Sequence, residues 1–114
     1  TVFFSSKGCS EVQRDSYVFF QHPDMTKPLA KKVAGVAGDS IVLSLGHVLI
    51  NGKSYGEVLS HSKSGTKLTP ISKGVIPEGF VFMSSFHPDS FDSRYQEFGL
   101  ISVDAVKGEL WPLF

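Results

Sequence analysis

The apolar residues of this chain arrive in short bursts, and none of the bursts is spaced like a helix. Val2–Phe4, Tyr17–Phe20, Leu29–Val36, Ile41–Leu45, Val48–Ile50, Phe80–Met83 and Val103–Leu110 are rich in Val, Ile and Phe and are broken by Gly, Pro, Asp or Asn. An apolar period near 3.6, the mark of an amphipathic helix, does not persist over any helix-length window. β-Branched and aromatic side chains suit a pleated, half-buried surface, so each burst reads as a strand. Asn51-Gly52 after VLI marks a tight turn, because a type I′ turn needs positive φ at both central residues. Gly35 and Gly38 bracket a further bend. Residues 56–73, with their Ser, Gly and Lys, read as a surface excursion or a ragged hairpin. The expected fold is mainly β with little helix: one domain over residues 1–114, a coiled antiparallel sheet or barrel-like structure.

A chain of 114 residues can bury a core without disulfides or metals, and 41% hydrophobic against 19% charged residues suits an ordered domain. Eleven basic residues balance eleven acidic ones, and no Lys/Arg run is present, so nucleic acid is not an expected partner. The single Cys9 rules out an internal disulfide and a multi-cysteine metal site. It has no resolving partner nearby. His22, His47, His61 and His87 form neither an H-x-x-x-H pair nor a ligand set with acidic neighbours, so no metal or cofactor is expected. No apolar run reaches the roughly 20 residues that span a bilayer. The chain opens at Thr1 directly in TVFF, as an excised piece of something longer would.

One strand carries a chemical asymmetry. In Leu29-Ala30-Lys31-Lys32-Val33-Ala34, alternation places Leu29, Lys31 and Val33 on one face and Ala30, Lys32 and Ala34 on the other. Lys31 therefore sits between large aliphatic side chains, whereas Lys32 sits between alanines and reaches water more readily. Desolvation disfavours an ammonium ion. Lowering a lysine from about 10.4 to about 8 costs roughly 3 kcal/mol and yields a usable general base for a serine hydroxyl. The simpler alternative is a lysine pair that protects an edge strand from aggregation. A second unusual stretch, HPDSFDSRYQEFG from His87 to Gly99, alternates bulky aromatics with charges that can pair. Asp92 and Arg94, two apart on an extended segment, would share a side and could meet.

RDSYVFF, KKVAGVAGDSI, VLINGKSY, IPEGFVFM, SFDSRYQEFG and GELWPLF, in that order, resemble the type I signal peptidases over nearly the whole chain. HPDSFDSRY is most similar to the conjugative-transfer branch, whose plasmid-encoded members process pilin subunits. The resemblance implies a Ser/Lys serine endopeptidase on a β-rich periplasmic domain, held at the inner membrane by an N-terminal anchor. It places Lys31 as general base, Ser90 as the serine that orients that lysine, and Asp92 and Arg94 as bracing charges, with Asp89 a weaker supporting candidate. A purely structural ion pair stapling a loop remains open for Asp92 and Arg94. The implied substrate is a pilin or other preprotein bound as an extended strand.

The sequence departs from the family pattern at three places. Ser84-Ser85-Phe86 stands where the general pattern has Gly-Asp-Asn, a divergence shared by the conjugative branch. Arg14-Asp15 replaces an early Gly-Asp. The conjugative-type spacing puts the nucleophilic serine upstream of Thr1, so that this fragment would lack it; Ser6 is the alternative, without the Met and Pro that usually follow. Two other readings stand beside the peptidase. One is a self-cleaving repressor-type Ser/Lys domain, although no cleavage site or DNA-binding segment is visible. The other is a non-catalytic assembly or binding module of a conjugation or secretion apparatus.

Overall fold

The structure, a computed structural model, describes residues 2–5, 12–62, 64–85 and 91–112. Among the described residues ten strands follow one another: β1 (Val2–Ser5), β2 (Tyr17–Phe20), β3 (Leu29–Gly35), β4 (Ser40–Ser44), β5 (His47–Ile50), β6 (Lys53–Glu57), β7 (Gly74–Val75), β8 (Phe80–Ser84), β9 (Ile101–Ser102) and β10 (Val106–Pro112). Among the described residues there is no α-helix; a 3₁₀ turn at Val103–Ala105 separates β9 from β10. The strands form a six-stranded sheet in the order β1-β10-β2-β3-β8-β9 and a four-stranded sheet in the order β6-β5-β4-β7. All of the strand pairs are antiparallel. The mainly β expectation holds, in two sheets that do not close into one barrel.

Each sheet has its own core. Val18, Phe20, Val33, Val81, Met83, Phe98, Ile101 and Val106 form the first, and Ala34, Ile41, Val48, Ile50, Ile71, Ile76 and Phe82 the second. Strand β8 serves both. Val81 and Met83 face the first core while Phe82 between them faces the second. A strand buried on both sides reads as a continuous apolar run, as FVFM does. Its partner β3 does likewise, with Val33 in one core and Ala34 in the other. The β3–β8 register runs Lys32↔Ser84 and Val33↔Met83, then shifts at Gly35↔Phe82, which leaves Ala34 as an extra residue. Such a bulge bends its strand and re-aims the side chains beside it.

The expected turn at Asn51-Gly52 is present, with φ of 51° and 88°. The expected strand Val103–Leu110 is corrected: it begins only at Val106, because the Ser102 hydroxyl accepts the Asp104 amide N–H at 3.2 Å and winds the preceding residues into the 3₁₀ turn. Local capping by Ser wins there over the apolar pattern. Strand β6 was not expected, since it is a polar outer strand with little burial. The excursion after it is a ragged hairpin, bridged at His61↔Lys67 and by the Ser62 N–H donating to the Thr66 carbonyl at 2.8 Å.

Candidate active site

Lys31 reaches the rim of the first core by strand alternation. Its same-face neighbours Leu29 and Val33 both pack on that core, and Val18 of β2 lies opposite it across the ladder. The lysine side chain is half-buried, with Nζ 5.8 Å from the centroid of the Phe98 ring. Burial draws its pKa below the ordinary lysine value of 10.5, a pull that the nearby Asp92 charge opposes and that of Arg94 reinforces. Lys32, on the other face, has its amine 3.5 Å from Asp15, whose carboxylate is 60% exposed. The two adjacent lysines thus occupy different solvents: one is at an apolar rim, the other in a wet ion pair.

The Lys31 amine donates to the Ser85 hydroxyl at 2.7 Å. Lys32 pairs with Ser84 across the β3–β8 ladder, so the next residue along falls beside Lys31. Ser85 is itself held from behind. Its backbone N–H donates to Asp92 Oδ2 at 2.9 Å, and its hydroxyl donates, at a long 3.4 Å, to the Phe91 carbonyl. Sequence reasoning missed Ser85 as a site residue, seeing only a departure from Gly-Asp-Asn. Its signal was present but needed the register between two strands far apart in the chain.

Asp92 and Arg94 meet, though by a different route from the expected one. The backbone bends and turns from residue 92 to residue 94 instead of extending, and Asp92 Oδ1 accepts both the Arg94 amide N–H at 3.0 Å and its Nε at 2.8 Å. The two side chains are 2% and 1% exposed, so this is a fully desolvated pair. It persists because it is saturated: Oδ2 serves Ser85, and Arg94 Nη1 donates to the Glu57 carbonyl at 2.7 Å. The guanidinium passes over Gly56, which has φ of 121°; a Cβ there would lie 2.9 Å from Nη1. Only glycine combines that backbone with that clearance.

The rest of the aromatic stretch forms the floor beneath. Phe91 stacks on Tyr95 with centroids 6.0 Å apart and meets Phe98 edge-on at 5.2 Å. Ser93 accepts the Met83 N–H at 2.9 Å and donates to the Gly99 carbonyl at 2.7 Å, and the Tyr95 hydroxyl accepts the Leu59 N–H at 3.1 Å. Residues 91–99 therefore fasten β8 to the hairpin excursion and present a rigid surface under Lys31. His22 also belongs to this packing. Its ring is buried against Phe98, accepts the Asp24 N–H at Nδ1 (3.0 Å) and so donates from Nε2 to the Phe98 carbonyl (2.9 Å).

The Gly-x-x-Gly-Asp motif after Lys31 has a separate task. Asp39 accepts from Arg14 Nη2 at 2.6 Å and Nε at 3.1 Å, from Asn51 Nδ2 at 3.0 Å and from the Val36 N–H at 2.9 Å. Burial alone would raise its pKa; the hydrogen bonds from Arg14, Val36 and Asn51, with the Arg14 charge, outweigh this and hold it below the ordinary 3.8. Arg14, noted in the sequence only as a departure from an early Gly-Asp, is thus a partner in the joint between the two sheets.

The structure therefore gathers Lys31, Asp92 and Arg94 in one place and adds Ser85. The sequence candidates Ser90 and Asp89, the alternative nucleophile Ser6, and Cys9 and His87 lie outside the described residues. Among the described residues no group of three or more His, Cys, Asp or Glu side chains converges on a metal position.

The fold of the crystallised signal peptidase I from Enterococcus faecalis superposes on this one with a TM-score of 0.58 at 25% identity, covering 92% of this chain and 98% of that one. An all-β scaffold of this form defines a protein of the signal-peptidase class. The sequence pattern of the family described as signal peptidase, peptidase S26, matches residues 2–113, and the chain belongs to that family. A conjugal transfer protein TraF of Agrobacterium fabrum is 32% identical over 94 residues, 81% of this chain and 52% of that protein. A protein of the same name in Agrobacterium tumefaciens is 38% identical over 89 residues, 76% of this chain and 49% of its own length. The chain spans about half the length of the curated relatives it matches.

Proposed function

We propose that this chain is the catalytic β domain of a serine endopeptidase that removes a leader from a pilin precursor or another secreted subunit during conjugative transfer, at the periplasmic face of the inner membrane. The observation that carries the reading is the Lys31 amine, half-buried at an apolar rim and fixed 2.7 Å from a hydroxyl. The similarity to two conjugal transfer proteins supports the conjugative setting. In this reading the uncharged Lys31 takes the proton of the attacking serine as that hydroxyl adds to the scissile carbonyl, and returns it to the departing amine. The attacking serine comes from the part of the complete protein that precedes Thr1, with Ser6 the alternative within this chain. Ser90 contributes a second hydroxyl to the lysine, and Asp92 and Arg94, with Asp89 as a weaker contributor, hold the floor in place. The substrate lies as an added strand on an exposed sheet edge, where main-chain hydrogen bonds supply affinity and small side chains fill shallow pockets.

The test is processing of the pilin precursor by the complete protein. Lys31→Ala is expected to slow cleavage by roughly 10²- to 10⁴-fold, the usual worth of a positioned base, with the circular dichroism of the fold unchanged. Lys32→Ala, which loses only a solvated ion pair, stays within a few-fold of the parent. Undiminished cleavage by the Lys31 variant would overturn Lys31 as the base and with it the Ser/Lys reading, whereas a parent protein that cleaves no precursor would favour the non-catalytic assembly module.

A further inference from the structure

We infer that Ser85 is a positioning residue for the catalytic lysine, and that it works by occupying an N–H of the Lys31 amine while leaving the lone pair of that amine open. The inference rests on the peptidase reading above and assigns within it a role to a residue that departs from the general family pattern.

A neutral amine has two N–H donors and one lone pair, and a general base needs the lone pair aimed at the proton it will take. A neighbouring hydroxyl can help or harm. If it donates into the lone pair, it blocks the base; if it only accepts, it turns the amine about Cε and leaves the lone pair exposed. What decides between these is the destination of the hydroxyl's own proton. Ser85 has the Phe91 carbonyl within 3.4 Å, an atom that can only accept, so the proton is drawn there and the oxygen faces Lys31 Nζ as an acceptor at 2.7 Å. The Phe98 ring, 5.8 Å from Nζ, walls another side of the amine.

Ser85 is placed for this by a chain of saturated contacts. The Asp92 carboxylate holds the Ser85 N–H at 2.9 Å, and Arg94 holds Asp92 at 2.8 Å. The Glu57 carbonyl holds Arg94 at 2.7 Å over the gap left by Gly56. The charged pair lies too deep to be a second acid or base in solvent, but its rigidity reaches the amine through Ser85. This gives the buried ion pair a specific function beyond stapling a loop: it sets the position of one hydroxyl.

Two measurements on the complete protein test the inference. In the first, Ser85→Ala is expected to lower kcat for pilin-precursor cleavage about 10- to 100-fold with KM within about twofold, a loss of base alignment without loss of binding, and Ser85→Thr, which keeps the hydroxyl, recovers most of it. In the second, lysine labelled with carbon-13 at Cε reports the side chain by NMR. A fixed Lys31 gives two distinct Hε shifts, which merge in Ser85→Ala and remain split in Ser85→Thr. If Ser85→Ala keeps both the parental kcat and the split signal, the positioning role is overturned even where Lys31→Ala has abolished cleavage. If instead the signal depends on Ser85 while Lys31→Ala cleaves at the parental rate, the geometry of the amine stands but Lys31 is not the base, and the Ser/Lys reading on which the inference rests fails. Covalent capture of a fluorophosphonate on Ser85, located by mass spectrometry, would also overturn it, because that would make Ser85 the nucleophile.

Discussion

Lys31 is a residue that the fold tolerates at a cost. Its amine is drawn below 10.5 chiefly by burial, so the charged form is the one the native state disfavours. At pH values below the folded pKa, both native and unfolded states carry the proton and the penalty is present in full. As pH rises from the folded pKa toward 10.5, the unfolded chain still binds a proton that the native state has released, and stability climbs. Lys31→Met, of similar length and without the charge, is therefore expected to raise the melting temperature at pH 7 while abolishing cleavage. The gain should shrink as the comparison moves toward pH 10.5. A Met variant that melts below the parent at pH 7 would show that the amine is not a desolvation burden. The asymmetry with Lys32 was legible in the sequence because strand alternation needs no tertiary information: Leu29 and Val33 flank one lysine, Ala30 and Ala34 the other.

At the scale of elements, the working unit is β8 with the 91–99 segment that returns beneath it. Asp92 makes three hydrogen bonds there, to the Ser85 N–H, the Arg94 N–H and Arg94 Nε, so truncating it takes a charged acceptor away from a buried guanidinium. Asp92→Ala is expected to cost about 3–5 kcal/mol, read as a lower denaturation midpoint, and to lose activity with it. Lost activity at an unchanged midpoint would refute the bracing role. Gly56→Ala presses on the same guanidinium from the other side and forces a non-glycine residue to φ of 121°; it should cost about 1–3 kcal/mol and reduce activity in step. The charges of SFDSRY were visible in the sequence, but their geometry was not. Their spacing suggested an extended segment, whereas the Asp92 side chain captures the Arg94 amide and folds the backbone into a turn. Ser85 was hidden for a related reason. Its place beside Lys31 follows from the Lys32↔Ser84 pairing, which joins residues fifty-two positions apart. Polar β6 was hidden because an outer strand with little to bury carries no apolar signature.

Across the whole molecule, two cores share the β3–β8 ladder, and Asp39 locks the sheets together from outside it. Arg14 lies just before β2 of the six-stranded sheet, whereas Asn51 lies in the β5–β6 turn of the four-stranded one, and both donate to Asp39. The Asp39 carboxylate is held below 3.8, so it contributes stability that is present above that value and is lost as pH falls through its folded pKa. Acid unfolding of the parent should therefore steepen below about pH 4. Asp39→Asn is expected to be less stable at pH 7 and to show a flatter acid limb; superimposable acid profiles for the two proteins would contradict the account. What the sequence by itself determined is the all-β character, the Asn51-Gly52 turn and the sidedness of Lys31, since period-two alternation and turn chemistry act over a few neighbouring residues. Tertiary structure alone decided that Ser85 meets Lys31, that Asp39 bridges two sheets and that a bulge at Ala34 lets one ladder face two cores. Those outcomes depend on register between strands distant in the chain, and register is fixed by the packing of whole faces, which no local pattern contains.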